Sequence, residues 1–374
     1  MSTYFDHNAT SLLRPTVVEG LQKALREGIG GNPSSVHAQG RKAKKLLEDA
    51  RQITADFFSC KPSQILFTSG GSESIRIGWE KTLASSPKNI LTSKMEHSCV
   101  LSNARKAARS GHHVDYIPVR TDGSLDHSSI KSNYDLISLQ SANNETGIVH
   151  DLPHIKTHNV ENGLFLCDAV QIAGKAPISF SSLGFDLMTL AGHKLGALGG
   201  IGALIFEKES MITPVHEGSQ ERGLRAGTEN VLGAWSLALS LIELSESGKQ
   251  ECQRIETLRD EFETQLMESI SDIHITGKHL PRLGNTSHIK FDHVDGESLV
   301  TALDVEGFCV SMGAACSSGT IEPSHVLLAM GLSSEQAKSC LRFSFGWNHK
   351  ESDIEKLLQT LPRLVERTRK ASLT

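Results

Sequence analysis

Between residues 65 and 206, short apolar runs recur along the chain, and amphipathic segments separate several of them. Short apolar runs are typical of buried strands, and the intervening segments have the spacing of helices. This alternation predicts an α/β fold with a mostly parallel seven-stranded sheet and helices on both of its faces. The predicted strands are Ile65–Thr68, Asn89–Thr92, Val114–Val119, Leu136–Gln140, Leu164–Cys167, Leu187–Leu190 and Ile201–Phe206, and the predicted helices are Ser72–Ala84, Ser98–Ser110 and Leu152–Glu161.

The chain after residue 230 has a different pattern. Its first part, Val231–Ile270, contains few helix breakers and predicts one long helix or two. Further strands and helices follow and predict a smaller α+β domain. We therefore expect a large domain over residues 12–250 and a small domain formed by residues 1–11 and 251–374. The predicted strands here are Asn285–Phe291, Cys309–Gly313 and Leu341–Gly346, and the predicted helices are Gly296–Gly307 and Asp353–Arg369.

Composition excludes several classes of protein. The 374 residues are 38% hydrophobic and 22% charged, which is typical of a soluble globular protein. The net charge is −5 and no long basic tract occurs, so we expect no nucleic-acid partner. No apolar run approaches the length of a membrane span, and the N-terminus has no apolar signal core. The seven cysteines show no metal-ligand spacing, which indicates free thiols, a cytoplasmic location and no metal site.

A lysine follows the sixth predicted strand in the Gly-containing string LAGHK, residues 190–194. Lys194 therefore lies at the mouth of a strand, where a side chain can be partly desolvated. Desolvation lowers the pKa of an amine and makes it nucleophilic, as a Schiff base with an aldehyde requires. A solvated lysine with no chemical role is the alternative interpretation.

Two further strand ends carry residues suited to a ligand. After the first strand, the string SGGSES opens a helix, so the amides of Gly71 and Ser72 could hold a phosphate. Asp168 ends the fifth predicted strand, where a carboxylate could pair with a protonated ring nitrogen, and Gln171 follows three residues later. Helix capping by Ser72 and by Asp168 is the structural alternative in each case.

Three other residues have side chains suited to catalysis or to substrate binding. His97 follows the second predicted strand and could stack on an aromatic cofactor or move protons; a purely structural histidine is the alternative. Cys316 lies in the small-residue segment 310–319, which predicts a mobile loop with an accessible thiol; an incidental surface cysteine is the alternative. Arg342 lies in an apolar strand and could bind a carboxylate; an internal ion pair is the alternative.

These strings occur in an order and at spacings that resemble those of the cysteine desulfurases of iron–sulfur cluster assembly and nitrogenase maturation. The resemblance extends from the string YFDHNAT at residues 4–10 to the strand that holds Arg342. It implies an aspartate-aminotransferase-like fold of fold type I, pyridoxal 5'-phosphate as cofactor, and a homodimer. It also implies a sulfur-acceptor protein as partner, either an iron–sulfur scaffold or a thiolation protein.

The resemblance implies a role for each matching residue. Lys194 would hold the cofactor covalently, Asp168 would pair with its ring nitrogen and His97 would stack on its ring. The phosphate would be bound by Gly71, Ser72 and His193, and by Thr228 from the neighbouring subunit; Gln171 would contact the ring oxygen, Asn143 would lie beside the ring, and Asn32 and Arg342 would hold the substrate carboxylate.

The resemblance implies conversion of L-cysteine to L-alanine with the sulfur left as a persulfide on Cys316. Lys194 would remove the α-proton, and His97 is a candidate acid and base for the thiol protons. An aminotransferase or a selenocysteine lyase is the alternative, because Lys194 and Asp168 would serve equally well there. The chain departs from the family at Ala191, where a serine hydroxyl is common in relatives, so we expect one phosphate contact fewer.

Overall fold

The computed structural model describes residues 2–131, 133–313 and 322–372, and within these ranges it contains twelve strands and ten α-helices. The strands are β1 Thr3–Tyr4, β2 Ile65–Thr68, β3 Asn89–Ser93, β4 His113–Ile117, β5 Tyr134–Gln140, β6 Asn159–Asp168, β7 Leu187–Ala191, β8 Gly202–Phe206, β9 Ile273–Ile275, β10 Thr286–Phe291, β11 Phe308–Cys309 and β12 Cys340–Ser344. The helices are α1 Pro15–Arg26, α2 Ala38–Phe57, α3 Gly71–Leu83, α4 Ser98–Arg109, α5 Phe180–Leu183, α6 Val231–Ser269, α7 Gly296–Val305, α8 His325–Ala329, α9 Ser334–Lys338 and α10 Glu351–Ser372.

Seven strands form the central sheet in the order β2-β8-β7-β6-β5-β3-β4. Strand β8 is antiparallel to both of its neighbours, and every other neighbouring pair is parallel. Six of the seven strands therefore run in the same direction, which confirms the predicted mostly parallel sheet. It also brings the carboxyl ends of those six strands to one edge of the sheet.

Both faces of the sheet are covered by helices, as the period-2 alternation of buried side chains requires. On β2, Ile65 and Phe67 belong to the apolar cluster that also contains Leu47 of α2 and Leu241 of α6. Leu66, which lies between them, packs instead in a second cluster with helices α3 and α4. This strand is buried throughout, so it reads as a continuous apolar run in the sequence.

A separate apolar cluster lies outside the central sheet. It combines the second half of α6 with α7, α10 and the three-stranded sheet β12-β10-β9, and it includes Phe5 from the N-terminus. Helix α6 is one continuous helix, and its first half packs in the cluster of the large sheet. We propose that residues 12–250 form the large domain and that residues 1–11 and 251–374 form the small domain. The two separate apolar clusters support this division.

Two local predictions were wrong. The predicted helix Leu152–Glu161 is a 3-10 turn, Pro153–His158, followed by the start of β6. Asn159 pairs with Tyr134 of β5, so pairing within the sheet outweighs the helical spacing of this segment. The predicted strand Cys309–Gly313 is shorter: Phe308–Cys309 pairs with β1, and Ser311 forms a separate bridge with Arg342.

Within the described ranges, every helix is too short or too polar to cross a lipid bilayer.

A buried histidine on β10 predicts sensitivity of the fold to acid. Burial, together with the charge of Arg342 on the neighbouring strand, lowers the pKa of His288 from 6.5 to about 3. Below pH 6.5 His288 binds a proton in the unfolded chain but not in the folded chain. The stabilisation of the folded state that is present above pH 6.5 is therefore lost as the pH falls. For this one group the loss is at most about 1.4 kcal/mol per pH unit.

We expect His288→Gln to reduce the difference in unfolding free energy between pH 7 and pH 5 by about 2 kcal/mol. Urea denaturation at the two pH values measures it. His274→Gln is the matched control, because His274 is an exposed residue in the same sheet whose Nε2 lies 2.8 Å from an Asp292 carboxylate oxygen. An unchanged pH dependence in His288→Gln would contradict this expectation.

Candidate active site

Lys194 ends a 3-10 turn, Gly192–Lys194, that follows directly on β7. The turn is tight because Gly192 packs against Ile201, where a Cβ atom would lie only 2.6 Å from the Ile201 side chain. Lys194 Nζ donates hydrogen bonds to the backbone carbonyls of Asn8 and Ala9, both at 2.6 Å. Burial, reinforced by the Arg342 charge, lowers the pKa of Lys194 from 10.5 to about 8. A substantial fraction of this amine is therefore neutral just above physiological pH.

Asp168 is the last residue of the neighbouring strand β6, and the residue is 8% exposed. Its Oδ1 atom accepts hydrogen bonds from the Val170 amide at 3.0 Å and from the Thr189 hydroxyl at 3.2 Å. Within the described part of the chain, Oδ2 accepts no hydrogen bond. Burial raises the pKa of Asp168, so a cationic donor at Oδ2 would stabilise the ionised carboxylate.

The start of helix α3 lies beside the ends of β6 and β7. A Cβ atom on Gly71 would lie 2.9 Å from Val170 Cγ2 and 3.6 Å from Ala191 Cβ. Gly70, the N-cap, offers no side-chain acceptor, so the first amides of the helix remain free to bind an anion. Ala191 has a methyl group here and no hydroxyl. This side chain therefore cannot donate a hydrogen bond to a phosphate, as its departure from the family pattern implies.

His97 is the N-cap of α4, and its Nδ1 atom accepts the backbone N–H of Cys99 at 3.3 Å. The Cys99 thiol lies 3.0 Å from the same nitrogen and donates to it. Because Nδ1 is an acceptor, the proton of the neutral ring lies on Nε2. Desolvation by the surrounding protein lowers the pKa of His97 more than the nearby Asp168 charge raises it, although part of the ring is open to solvent. His97 is therefore held as a neutral donor.

Asn8 and Lys175 belong to this site and were missed in the sequence. The Asn8 carbonyl oxygen accepts hydrogen bonds from Lys194 at 2.6 Å and from Gln171 Nε2 at 3.0 Å. Lys175 Nζ donates to Asn8 Oδ1 at 2.8 Å and to Gln171 Oε1 at 2.7 Å, which sets the orientation of the Gln171 amide. No local signal could have identified Asn8, because 186 positions separate it from Lys194.

Arg342 lies on β12 with a side chain that is 3% exposed. One terminal nitrogen donates to the Asn144 carbonyl at 2.8 Å, and the other forms an ion pair with Asp6. The internal ion pair, which was the structural alternative, is therefore present. The Nε–H group is buried and has no partner among the described residues, so the guanidinium retains an unused donor.

The other residues predicted for the site are His193, Asn143, Asn32, Thr228 and Cys316. His193 Nδ1 lies 3.0 Å from the Thr10 hydroxyl, and burial lowers the pKa of His193 to about 4. Asn143 is fully buried, and its Oδ1 accepts the amides of residues 145 and 146, so it also shapes its own turn. Asn32 and Thr228 are exposed and form no hydrogen bond to the other predicted residues within the described part of the chain. Cys316 lies outside the described residues.

This donor set fits pyridoxal 5'-phosphate. The cofactor requires an amine of lowered pKa, an anion opposite its ring nitrogen and a binding site for its phosphate. Lys194 provides the amine, the open Oδ2 of Asp168 provides the anion, and the free amides at Gly71 provide the phosphate site. Asp168 and Lys194 come from the ends of the neighbouring strands β6 and β7, and their charges act on each other. Gly71 follows β2, which β8 separates from β7, at the same edge of the sheet.

Comparisons with known proteins agree with this geometry. The sequence profile of the aminotransferase class-V family matches residues 3–357. The cysteine desulfurase IscS of Dictyoglomus turgidum is 37% identical over 382 residues, covering 99% of this chain and 96% of that protein.

Solved structures show the same relationship. The NifS-like protein from Rickettsia africae superposes with a TM-score of 0.87 at 30% identity, covering 98% of this chain and 100% of that one. A structure described as SspA in complex with cysteine has a TM-score of 0.78 at 28% identity, with coverage of 92% and 99%. This chain therefore belongs to the aminotransferase class-V family.

Proposed function

We propose that this protein is a pyridoxal-phosphate-dependent cysteine desulfurase, which converts L-cysteine to L-alanine and leaves the sulfur as a persulfide on Cys316. The observation that carries the proposal is that one edge of the sheet holds both Lys194, with a pKa of about 8, and Asp168, with an open carboxylate oxygen. The desulfurases among the relatives and the cysteine complex of SspA support L-cysteine as the substrate.

Each residue has a distinct part in this reaction. When bound, pyridoxal phosphate supplies an electron sink for the substrate carbon that loses its proton. Lys194 attaches the cofactor and, once released, takes the α-proton, for which a pKa near 8 is well matched to neutral pH. Arg342 holds the substrate carboxylate through the donor that has no protein partner. His97 is the acid and base for the thiol protons, and it acts through Nε2 because its Nδ1 accepts the Cys99 amide.

The sulfur transfer balances without an external oxidant. The Cys316 thiolate attacks the substrate sulfur, so a sulfur–sulfur bond forms as the carbon–sulfur bond breaks. The electron pair of the broken bond stays with the substrate carbon, which takes up a proton and becomes the methyl group of alanine. A thiol reductant afterwards releases the outer sulfur as sulfide and regenerates Cys316.

The test is an absorption spectrum of the purified protein before and after L-cysteine is added, with alanine and sulfide measured in the same sample. We expect a visible band that shifts with L-cysteine and equal amounts of alanine and sulfide in the presence of reductant. A 2-oxo acid product without sulfide would indicate an aminotransferase. Turnover of selenocysteine with little turnover of cysteine would indicate a selenocysteine lyase, and the absence of a band after addition of cofactor would indicate a non-catalytic protein.

The proposal extends to partners and location. A homodimer is supported by Thr228, which is exposed in one chain and, by resemblance, would reach the phosphate of the neighbouring subunit. The persulfide requires a sulfur acceptor, and an iron–sulfur scaffold or a thiolation protein has the matching chemistry. The six cysteines in the described part of the chain are free thiols, which suits the reducing cytoplasm.

Arg342→Lys is expected to raise the KM for L-cysteine about tenfold or more, with a smaller change in kcat, because lysine has no equivalent of the Nε–H donor and no planar guanidinium. Steady-state alanine production measures both constants. Arg282→Lys is the matched control, since Arg282 is a buried arginine whose two terminal nitrogens both bind Glu263, at 2.8 and 2.9 Å. An equal rise of KM in both variants would show that Arg342 acts through the fold and not on the substrate.

A further inference from the structure

Two consecutive carbonyl groups hold the amine of Lys194. Its Nζ atom donates to the carbonyls of Asn8 and Ala9, each at 2.6 Å. Residues 7–9 form a turn, in which both carbonyls reach the same nitrogen. A neutral amine has two hydrogens and one lone pair, so these two contacts use both hydrogens and leave the lone pair free to accept a proton.

Asn8 is fixed by four surrounding residues, and only 1% of it is exposed. Its Oδ1 atom accepts hydrogen bonds from Lys175 at 2.8 Å and from Asn285 at 3.0 Å, and its Nδ2 atom donates to the Thr286 hydroxyl at 2.8 Å. Its backbone amide donates to the Ser344 hydroxyl at 2.9 Å. The Asn8 carbonyl therefore cannot turn away from the site unless several of these bonds break.

Attachment of Lys194 to an aldehyde cofactor is incompatible with both contacts at once. When its nitrogen is doubly bonded to the cofactor carbon, it keeps at most one hydrogen, so at least one of the two hydrogen bonds is lost. The contacts with Asn8 and Ala9 therefore stabilise the free amine more than the attached amine. Such a difference favours the state in which a substrate amine has displaced Lys194.

We infer that the carbonyls of Asn8 and Ala9 form a release site for Lys194, which binds its amine after a substrate amine has displaced it from the cofactor. This inference rests on the proposed function, in which Lys194 attaches the cofactor. In the exchange, the bond from the cofactor carbon to the Lys194 nitrogen breaks while a bond to the substrate nitrogen forms. The two hydrogens of the neutral substrate amine pass to Lys194, whose amine then has the two hydrogens that the release site accepts.

Asn8→Ala tests the release site, because it removes the side-chain hydrogen bonds that fix the Asn8 carbonyl. The probe is L-alanine, the product of the proposed reaction, which has the amine for the exchange but no sulfur to transfer. Holoenzyme is titrated with L-alanine and reduced with borohydride, and mass spectrometry measures the fraction of Lys194 that is still attached. We expect displacement to require about tenfold more L-alanine than in the wild type, as loss of one hydrogen bond to the amine predicts.

A second titration separates this effect from a general defect of the site. Pyridoxal phosphate is added to the cofactor-free protein, and its attachment is followed by absorbance. The lost contacts stabilise the free amine, so Asn8→Ala should bind the cofactor as tightly as the wild type or more tightly. A general defect would weaken the binding of both L-alanine and the cofactor.

Asn103→Ala is the matched control, since Asn103 is also a buried asparagine whose side chain donates to a backbone carbonyl, that of Cys99 at 3.0 Å. Neither titration should change in this variant. Thr286→Val is the second test variant if Asn8→Ala does not fold, because it removes one hydrogen bond of the Asn8 side chain and keeps a similar shape. We expect it to raise the required L-alanine about threefold.

Three results would overturn the inference: an unchanged L-alanine requirement in the variants of Asn8 and Thr286 that fold, an equal weakening of L-alanine and cofactor binding in Asn8→Ala, or the same changes in Asn103→Ala. Failure of the proposed function has a different signature, because it appears in the wild type. A wild-type protein that releases no sulfide from L-cysteine is not a desulfurase, yet displacement of Lys194 by L-alanine is still measured in it.

Discussion

Lys194→Ala is expected to lower turnover of L-cysteine at least about a thousandfold and to leave pyridoxal phosphate bound only reversibly. Lys194 would attach the cofactor and remove the α-proton, so one substitution removes both functions. Its amine suits them because burial, reinforced by the Arg342 charge, lowers its pKa to about 8. Borohydride reduction followed by mass spectrometry measures covalent attachment, and alanine production measures turnover.

A neighbouring lysine provides the control for this prediction. Lys175 is half-buried in the same hydrogen-bond group, where it binds Asn8 Oδ1 and the Gln171 side chain. Lys175→Met removes an amine close to that of Lys194 but leaves the proposed attachment point in place. We expect covalent attachment in Lys175→Met and none in Lys194→Ala. Covalent cofactor in Lys194→Ala would show that another residue is the attachment point.

Cys316→Ala is expected to bind the cofactor and L-cysteine, with the accompanying absorbance change, but to release no sulfide in the presence of reductant. The thiolate is the reacting form, and an ordinary cysteine with a pKa of about 8.5 is only a few per cent ionised at pH 7. The wild-type rate of sulfide release should therefore rise between pH 7 and pH 9. Sulfide release and the absorbance change, measured on the same samples across this range, test both statements.

Cys60→Ala is the matched control for the thiol. Cys60 is a half-buried free cysteine, and burial raises its pKa to about 12, so it carries almost no thiolate at neutral pH. This variant should release sulfide at the wild-type rate. Full activity in Cys316→Ala would remove Cys316 from the mechanism and would favour a sulfur-releasing reaction that needs no protein thiol.

The sheet could be predicted because its strands are short buried runs with clear boundaries. Each predicted strand from Ile65–Thr68 to Ile201–Phe206 corresponds to a strand of the central sheet, with ends that differ by a few residues. The segment Leu152–Glu161 could not be predicted in the same way. Its spacing is helical, but Asn159 pairs with Tyr134 on a strand that begins 25 positions earlier, and local spacing carries no information about such a partner.

The amino-acid sequence by itself determined the class of fold and was enough to propose the main candidate site residues, because the patterns behind both are local. A lysine or an aspartate at the end of a buried strand is visible in a few consecutive letters, as Lys194 and Asp168 are.

Only the tertiary structure decided which distant groups share the site. Asn8 accepts a hydrogen bond from Lys194, 186 positions away, and Asp6 forms an ion pair with Arg342, 336 positions away. Contacts of this kind exist only after the strands have paired and the two ends of the chain have packed against the same sheet edge. Burial and hydrogen bonding then depend on the packed molecule, and no run of neighbouring residues encodes them.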